Sequence, residues 1–373
     1  LRDPAGIRPA FWYADEEVVV VASERPAIQT AFGLRTEEVN ELTPGHALII
    51  RKDGRYSEEK VREPLEKRAC SFERIYFSRG SDRDVYRERI ALGRSVCPAI
   101  MEAVDHDIQN TVFSFIPNTA EVACYGMLKE MEDLLNKRKE QLIMEMGPKP
   151  PAGRLREILS MRPRLEKVAI KDAKLRTFIT SDDARDDLVA HVYDITYGTV
   201  RPGVDNLVVI DDSIVRGTTL KQSILKMLDR LEPKRIVVVS SAPQIRYPDC
   251  YGIDMAKMGD LVAFQAAIAL LKETHQENII DDVHERCVAM VDRPMHEQVN
   301  VVKDIYRPFT ALQISDKIAE LLTPPELHAE VRIVYQSIEG LHAACPGHTG
   351  DWYFTGDNPT PGGNRVVNRS FLN

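Results

Sequence analysis

The alternation of apolar and polar positions divides the chain into a strand-rich first part and a longer part in which strands and helices alternate. Strands are predicted at 17–22, 47–51, 72–77, 111–116, 167–170, 177–180, 206–210 and 235–240, and helices at 84–103, 120–139, 260–274, 281–290 and 311–322. The last two strands are continuous apolar runs, as expected for strands buried on both faces. The pattern therefore predicts an α/β fold, a mostly parallel sheet with helices on both faces.

Breaks in the pattern indicate the domain organisation. Gly and Pro residues at 147–153 end a helix, and we expect residues 140–165 to lie outside the sheet. The tail after Cys345 is rich in Gly, Pro and Asn. We predict a β-rich domain at 1–66, a second domain at 67–330 with an insertion at 140–165, and a tail at 331–373.

Composition narrows the class of protein. A chain of 373 residues that is 43% hydrophobic can bury a large core. Its net charge of −8 argues against a nucleic-acid partner, because phosphate backbones attract basic surfaces. No apolar run approaches the roughly 20 residues that span a bilayer, and the 6 cysteines form no CxxC pair. We expect a cytoplasmic protein with reduced thiols and no membrane partner.

The strongest chemical signal is the string from Val208 to Thr219, an apolar strand that ends in Asp211 and Asp212 and leads through a small-residue loop into a helix. Strand ends and helix N-termini bind anions in open α/β sheets, so Arg216–Thr219 is predicted to cradle a phosphate. Gly217 permits close backbone approach, and the hydroxyls of Ser213, Thr218 and Thr219 add donors. The two carboxylates suit neighbouring ribose hydroxyls and Mg²⁺.

The bland interpretation of the string is a core strand followed by a helix that Asp212 or Ser213 caps. It explains an Asp-Ser pair but not the whole string. The string is not a Walker A loop, since no Gly-Lys-Thr or Gly-Lys-Ser follows at the required spacing.

The string resembles the phosphoribosyl pyrophosphate signature of type I phosphoribosyltransferases, in the form found in the amidophosphoribosyltransferase family. Other segments that are similar to this family follow in its order, namely residues 2–9, 22–24, 72–79, 176–179, 241–243, 251–255 and 354–360. The first two resemble late strands of the family's N-terminal-nucleophile glutaminase domain, and 72–79 resembles the beginning of its transferase domain. Nearly the whole chain is covered.

The resemblance implies transfer of ammonia, released from glutamine, onto phosphoribosyl pyrophosphate, giving 5-phosphoribosylamine and pyrophosphate for purine synthesis. It implies that Asp211 and Asp212 hold ribose and Mg²⁺, and that Thr119 contributes to the metal and pyrophosphate side. It further implies that Arg216–Thr219 hold the 5-phosphate, with Ser213, Val215 and Arg176 also in contact with substrate. The family precedent is a homo-oligomer.

The sequence departs from the family in three places. The chain opens on Leu1 instead of the nucleophilic cysteine of the glutaminase, without a signal peptide, so we expect a truncated or cleaved form that cannot hydrolyse glutamine, with natural loss as the alternative. In the segment 181–187, acids such as Asp182 and Asp186 stand where the family carries Arg and Lys, and Asn118 replaces an acidic residue. A non-catalytic phosphoribosyl pyrophosphate sensor therefore stays open, and a salvage phosphoribosyltransferase is a weaker alternative.

One branch of the family binds an iron–sulfur cluster through four cysteines. Only Cys70 matches, Cys250 comes one residue late, and Gly350 and Tyr353 occupy the last two positions, so no cluster is expected. The spacings His342-x-x-Cys345-x-x-His348 and His284-x-x-Cys287 resemble metal motifs, but a loop or a helix face explains them. The aromatic run 352–354 is expected to pack the tail onto the core.

Overall fold

The computed structural model describes residues 1–171, 193–251 and 255–373 of the chain. Among the sequence predictions, the strand at 177–180, the acidic segment 181–187 and Arg176 lie outside the described residues.

The first part of the chain consists of short strands, as predicted, together with one helix that was not predicted; the strands pair in antiparallel fashion. Its elements are β1 (Phe11–Ala14), β2 (Val19–Ala22), α1 (Arg25–Phe32), β3 (Asn40–Glu41), β4 (His46–Ile50) and β5 (Tyr56–Lys60). The first three strands form one sheet in the order β2-β1-β3, and β4 and β5 form a separate hairpin.

The strand predicted at 72–77 is wrong. Residues Glu73–Phe77 form a π-helical turn, which the Ser78 amide closes by donating to the Glu73 carbonyl at 2.9 Å. Phe72 is buried, and its ring lies 5.0 Å from that of Phe77 in an edge-on arrangement. The aromatic residues that suggested a strand instead form a cluster, because β-propensity reflects packing more than backbone preference.

The helix predicted at 84–103 is two helices, α2 (Arg83–Ser95) and α3 (Cys97–Ala103). Pro98 near the start of α3 has no backbone N–H and its ring conflicts with the carbonyl four residues earlier, which ends the first helix. The next elements are β6 (Thr111–Phe115), α4 (Glu121–Glu145), α5 (Ala152–Ser160) and β7 (Arg164–Leu165). Residues 140–165 were predicted outside the sheet, yet β7 pairs with β6 in it.

The elements that follow are β8 (Ala169–Lys171), β9 (Tyr193–Ile195), β10 (Asn206–Asp211), α6 (Leu225–Asp229) and β11 (Arg235–Ser240). The rest of the chain contains α7 (Val262–Glu273), α8 (Asn278–Val291), α9 (Ala311–Leu322), β12 (Glu330–Tyr335), α10 (Ile338–Ala344), α11 (Trp352–Thr355) and α12 (Pro361–Leu372). Strands β8 and β9 form an antiparallel ribbon.

The central sheet has the order β12-β11-β10-β6-β7, and all four pairings are parallel. It therefore extends through β12, beyond the domain boundary predicted at residue 330. Alternate residues of β10 bury on opposite faces. Leu207 and Val209 pack with the core that contains α6, α7 and α9, whereas Val208 and Ile210 pack against α3 and α4. Helices on both faces confirm the predicted class.

A third core joins the two ends of the sequence. It combines Ile7 and Phe72 with the aromatic run 352–354, whose three side chains are buried. The prediction that these aromatic residues attach the tail to the core is confirmed.

Candidate functional site

The order of strands places a crevice between β6 and β10. Counting along the chain, β6 comes first, β7 lies on one side of it and β10 lies on the other. The helices that follow diverge as well, because α4 packs on one face of the sheet and α6 on the other. Such a switch point, at the carboxyl ends of the strands, is where open α/β sheets bind ligands.

A cavity of about 690 Å³ occupies this crevice. The segment after β6 and the segment after β10 both line it, together with an aromatic wall from the π-helical turn. Its lining residues are Phe72, Tyr76, Phe77, Ile116, Pro117, Asn118, Thr119, Asp211, Asp212, Ser213, Ile214, Val215, Arg216, Gly217, Thr218, Thr219, Leu220, Ile224 and Met255. Every predicted site residue that the structure describes is therefore in one place, and only Arg176 is left aside.

The carboxylates of Asp211 and Asp212 form the polar floor of the cavity. The Asp212 amide donates to Asp211 Oδ1 at 2.9 Å, and Ser213 Oγ donates to Asp212 Oδ1 at 3.0 Å. Burial and the neighbouring Asp212 raise the pKa of Asp211 well above its usual range. Burial also raises the pKa of Asp212, against the opposing effects of Ser213, Arg89 and a hydrogen bond from Thr119. Binding of a cation or of hydroxyl donors would stabilise the ionised form of these two carboxylates.

The donor set fits a magnesium ion that is shared with a substrate. In the described ranges, no group of three or more His, Cys, Asp or Glu residues is arranged to hold a metal. Mg²⁺ is usually held by one or two carboxylates, with water and phosphate oxygens completing its shell. Asp211, Asp212 and the Thr119 hydroxyl match that smaller requirement.

The loop after the carboxylates has a backbone that requires glycine. Gly217 has φ of +71°, a left-handed conformation that side chains disfavour. Its carbonyl accepts from the Lys221 amide at 2.9 Å, which begins the helical turn Leu220–Ile224 that continues into α6. The Val215 carbonyl accepts from the Val262 amide at 2.9 Å, so this residue attaches the loop to the start of α7.

Arg216, in this loop, forms an ion pair with Asp260, which lies just before α7. Its Nε lies 3.6 Å from Asp260 Oδ2, and about half of its side chain is exposed. Thr218 and Thr219 are exposed at the cavity mouth. The loop thus offers a guanidinium, two hydroxyls and glycine backbone to one side of the cavity, a set that suits a phosphate.

Two residues outside the cavity lining support the carboxylates, and the sequence did not predict this role for them. Ser241 follows β11, and its amide donates to the Asp211 carbonyl at 2.9 Å, which fixes the backbone beneath the carboxylates. Arg89 on α2 is buried, donates to the Arg74 and Ser78 carbonyls at 2.9 and 2.7 Å, and directs its charge at Asp212. No local motif identifies Arg89, since its contacts are created by the fold.

The positions compared with cluster cysteines lie together around Arg8. Its guanidinium lies 3.5 Å from Cys70 Sγ, donates to Tyr353 Oη at 3.0 Å and lies 3.6 Å from Asp249 Oδ2. It also pairs with Glu73 at 2.8 Å. Residues Cys70 and Gly350 form an isolated bridge beside this group. A polar network centred on the Arg8 guanidinium thus occupies the position of the compared cysteines.

Residues of the two metal-like spacings, 342–348 and 284–287, make contacts within the fold. His342 Nε2 lies 3.0 Å from Asp351 Oδ2, and Cys345 is buried in the third core. Cys287 is buried against the core that contains α8 and α12. Within residues 1–171, 193–251 and 255–373, we find no helix long and apolar enough to cross a membrane.

No family model matches the chain. Curated relatives named amidophosphoribosyltransferase do match. The protein from Pseudomonas aeruginosa is 29% identical over 273 residues, covering 70% of this chain and 47% of the relative. The protein from Escherichia coli K12 is 29% identical over 271 residues with the same coverage, and that from Pyrococcus horikoshii is 27% identical over 282 residues, covering 73% and 51%. The chain spans about half the length of these relatives.

Two solved structures share the fold. A glutamine phosphoribosylpyrophosphate amidotransferase from B. subtilis, complexed with ADP and GMP, superposes with a TM-score of 0.58 at 24% identity, covering 96% of this chain and 60% of that one. A structure described as the allosteric regulatory enzyme of purine biosynthesis gives a TM-score of 0.56 at 24% identity. These neighbours confirm the predicted α/β architecture of a type I phosphoribosyltransferase, and the relatives confirm the resemblance found in the sequence.

Proposed function

We propose that this chain, a homologue of the amidophosphoribosyltransferases, transfers ammonia to phosphoribosyl pyrophosphate and so performs the first committed chemistry of purine biosynthesis. The observation that carries the proposal is the cavity at the switch point, which two half-buried carboxylates and a glycine loop line together. One end suits the hydroxyls of a ribose and the other suits its 5-phosphate.

In the proposed reaction, the ammonia nitrogen bonds to the anomeric carbon as the bond from that carbon to pyrophosphate breaks. The nitrogen loses a proton, and the products are 5-phosphoribosylamine and pyrophosphate. Asp211 and Asp212 orient the ribose, while Arg216–Thr219, with Ser213 and Val215, hold the 5-phosphate. Catalysis of this kind rests on orientation and charge stabilisation, so it needs no protein nucleophile.

Magnesium is the proposed cofactor. Asp211, Asp212 and Thr119 would hold it, and it would neutralise charge on the departing pyrophosphate. We place the reaction in the cytoplasm and take a homo-oligomer as the working assembly. Residues 1–66 are proposed to be the C-terminal part of a glutaminase domain, with glutamine as the ammonia source in a full-length enzyme.

The experiment measures phosphoribosylamine and pyrophosphate from phosphoribosyl pyrophosphate, Mg²⁺ and a high concentration of ammonium. Supplying ammonium directly makes the test independent of glutamine hydrolysis. An Asp211→Asn, Asp212→Asn double variant should lose about 100-fold or more in turnover. Asp53→Asn, an exposed carboxylate paired with Arg55, is the matched control and should keep full turnover.

A second candidate is a phosphoribosyl pyrophosphate sensor without catalysis. The acidic residues at 182, 183, 186 and 187 favour it, because negative charge there would repel pyrophosphate. Binding of phosphoribosyl pyrophosphate with no turnover would support the sensor, whereas absence of binding would contradict both candidates.

A further inference from the structure

The phosphate loop, residues 216–219, is supported from behind by the C-terminal end of α9. Leu322, the last residue of α9, is buried directly against Gly217. A Cβ atom built on Gly217 would lie 2.6 Å from Leu322 Cδ2 and 2.7 Å from Cδ1. The leucine therefore fills the space behind the loop, and the glycine backbone rests on it.

Lys221 connects the same two elements. Its amide donates to the Gly217 carbonyl at 2.9 Å, and its Nζ donates to the Leu321 carbonyl at 2.8 Å. The Leu321 carbonyl belongs to the last turn of α9, where helix carbonyls carry partial negative charge and favour cations. One residue thus ties the helical turn after the loop to the end of α9.

The side chain of Lys221 borders a different cavity from the one that contains the two carboxylates. It lines a second cavity of about 490 Å³, together with Gln222, Gln265 and Leu322. It does not line the cavity that contains Asp211 and Asp212. Arg216, Gly217 and Thr218 of the loop line both cavities, and Lys221 approaches the loop from the second one.

We propose that the end of α9 fixes the phosphate loop in its binding conformation, with Leu322 and Lys221 as positioning residues that set affinity for the sugar phosphate. The inference rests on the proposed function, because it assumes that the loop binds a 5-phosphate. A loop that contains glycine can adopt many conformations, and holding it in one of them lowers the entropy lost on binding.

This arrangement predicts an effect on KM without an effect on kcat. The 5-phosphate is remote from the anomeric carbon, so its contacts are the same in the ground state and the transition state. Losing such uniform binding raises KM and leaves kcat unchanged. A residue that served only overall stability would change neither parameter in the folded enzyme.

The decisive comparison is Lys221→Met against Lys226→Met. Lys226 lies one and a half turns further on and also joins α6 to the segment after α9, through Glu326 at 2.7 Å. Affinity for ribose 5-phosphate, measured by calorimetry without Mg²⁺, should fall roughly three- to tenfold in Lys221→Met, the equivalent of one lost hydrogen bond. Lys226→Met should bind like the wild type, and Lys221→Arg should recover most of the loss.

A second pair of variants tests Leu322. Leu322→Ala opens space behind Gly217, whereas Leu271→Ala removes an equally buried leucine of the same core from α7. Both should lower the melting temperature, but only Leu322→Ala should weaken ribose 5-phosphate binding. Leu322→Met conserves volume and should bind normally. If Leu322→Ala does not fold, the lysine comparison decides.

The outcomes are distinguishable. A wild-type chain that does not bind ribose 5-phosphate contradicts the proposed function itself. Wild-type binding that is unchanged in Lys221→Met, or equally weakened in Lys226→Met, overturns the role of α9 and leaves the proposed function in place. A fall in kcat at unchanged KM would also overturn it.

Discussion

Gly217 combines two constraints that separate experiments can resolve. Its φ of +71° disfavours any side chain, and Leu322 leaves no room for a Cβ. A glycine with a similar backbone but open surroundings isolates the first constraint. Gly203 has φ of +66° and no atom within 4 Å of a built Cβ.

We expect Gly203→Ala to lower the free energy of unfolding by about 1 kcal/mol, the usual cost of a left-handed alanine, and to leave ribose 5-phosphate affinity unchanged. Gly217→Ala should cost more, about 2–3 kcal/mol, because steric overlap adds to strain. It should also abolish measurable ribose 5-phosphate binding. Urea unfolding and calorimetry supply the two quantities. Equal binding by both variants would mean that the loop does not hold the phosphate.

Arg8 supplies the positive charge that balances two acids in the core. The guanidinium pairs with Glu73 and Asp249, and the carboxylate of Asp249 is almost fully buried. Removing one partner from such a network leaves uncompensated charge. Arg8→Gln should lower the free energy of unfolding by about 2 kcal/mol.

Arg55→Gln is the control, because Arg55 pairs with Asp53 at an exposed surface. It should change the free energy of unfolding by less than about 0.5 kcal/mol. Similar losses in the two variants would contradict a network specific to Arg8.

His348 gives stability a pH dependence of known sign. Burial, with the nearby charges of Arg74 and Lys67, lowers the pKa of His348 to about 3, and its Nδ1 is buried without a hydrogen-bond partner. In the unfolded chain its pKa is about 6.5. The folded state is therefore most stable above about pH 6.5. It loses stability as pH falls toward 3, because in this range the His348 side chain gains a proton only in the unfolded chain.

Between pH 7.5 and 5.0, His348→Gln should therefore lose about 2 kcal/mol less stability than the wild type. His296→Gln, at an exposed position, should lose as much as the wild type. Chemical unfolding at the two pH values tests this. Parallel behaviour of His348→Gln and wild type would show that His348 does not control the acid loss.

The sequence predicted the part of the site whose residues are neighbours in the chain. The string from Val208 to Thr219 placed Asp211, Asp212 and Gly217 together because strand, loop and helix follow each other directly. Arg89 acts on Asp212 and Leu322 packs behind Gly217, both from helices far away in sequence, so no spacing predicted them. The prediction for Arg176 stays a prediction.

At the scale of elements, the contact between α2 and α4 depends on two glycines. A Cβ built on Gly93 would lie 1.8 Å from the Ala123 carbonyl oxygen, and one on Gly126 would lie 2.0 Å from the Ile90 carbonyl oxygen. The helix backbones are therefore in direct contact, and α4 can bury its inner face against both α2 and the sheet.

Gly93→Ala should lower the free energy of unfolding by about 3 kcal/mol, because neither backbone can move without disturbing the sheet. In α5, Gly153 has no atom near a built Cβ, and Gly153→Ala should stabilise by about 0.5 kcal/mol through helix propensity. Thermal unfolding of both variants tests the contrast. A stable Gly93→Ala protein would show that the helices lie further apart.

The elements differ in how well the sequence predicted them. The strand at 235–240 and the helix at 311–322 have the predicted bounds, because long apolar runs and clear periodicity specify them. The strand prediction for 72–77 failed because Phe72 packs against Tyr353 and Phe354, contacts that the local sequence pattern does not contain. Pro98 indicates a break between the two helices, because proline disrupts a helix. The helical periodicity on both sides of it nevertheless predicted one continuous helix.

For the whole molecule, the six cysteines share one property. All are free, and burial raises the pKa of Cys70, Cys97, Cys124 and Cys250 to about 12 and that of Cys287 to about 11. Burial likewise raises the pKa of Cys345. At pH 8 roughly one thiol in a thousand or fewer is ionised, so the native protein should react slowly with alkylating agents.

Mass spectrometry after brief iodoacetamide treatment at pH 8 should find the native chain unmodified, and all 6 thiols alkylated in guanidinium chloride. A thiol that reacts fast in the native protein would contradict its raised pKa. Fewer than six reactive thiols in the unfolded chain would reveal a disulfide.

The third core has a consequence for synthesis of the protein. Ile7 and Phe72 pack against Trp352, Tyr353 and Phe354, side chains that a ribosome adds some 280 residues or more after Phe72. At about 5–20 residues per second, the earlier half of this core waits on the order of 15–60 seconds for its partner. During that interval its apolar surface is exposed in the nascent chain, which makes it a natural binding site for chaperones.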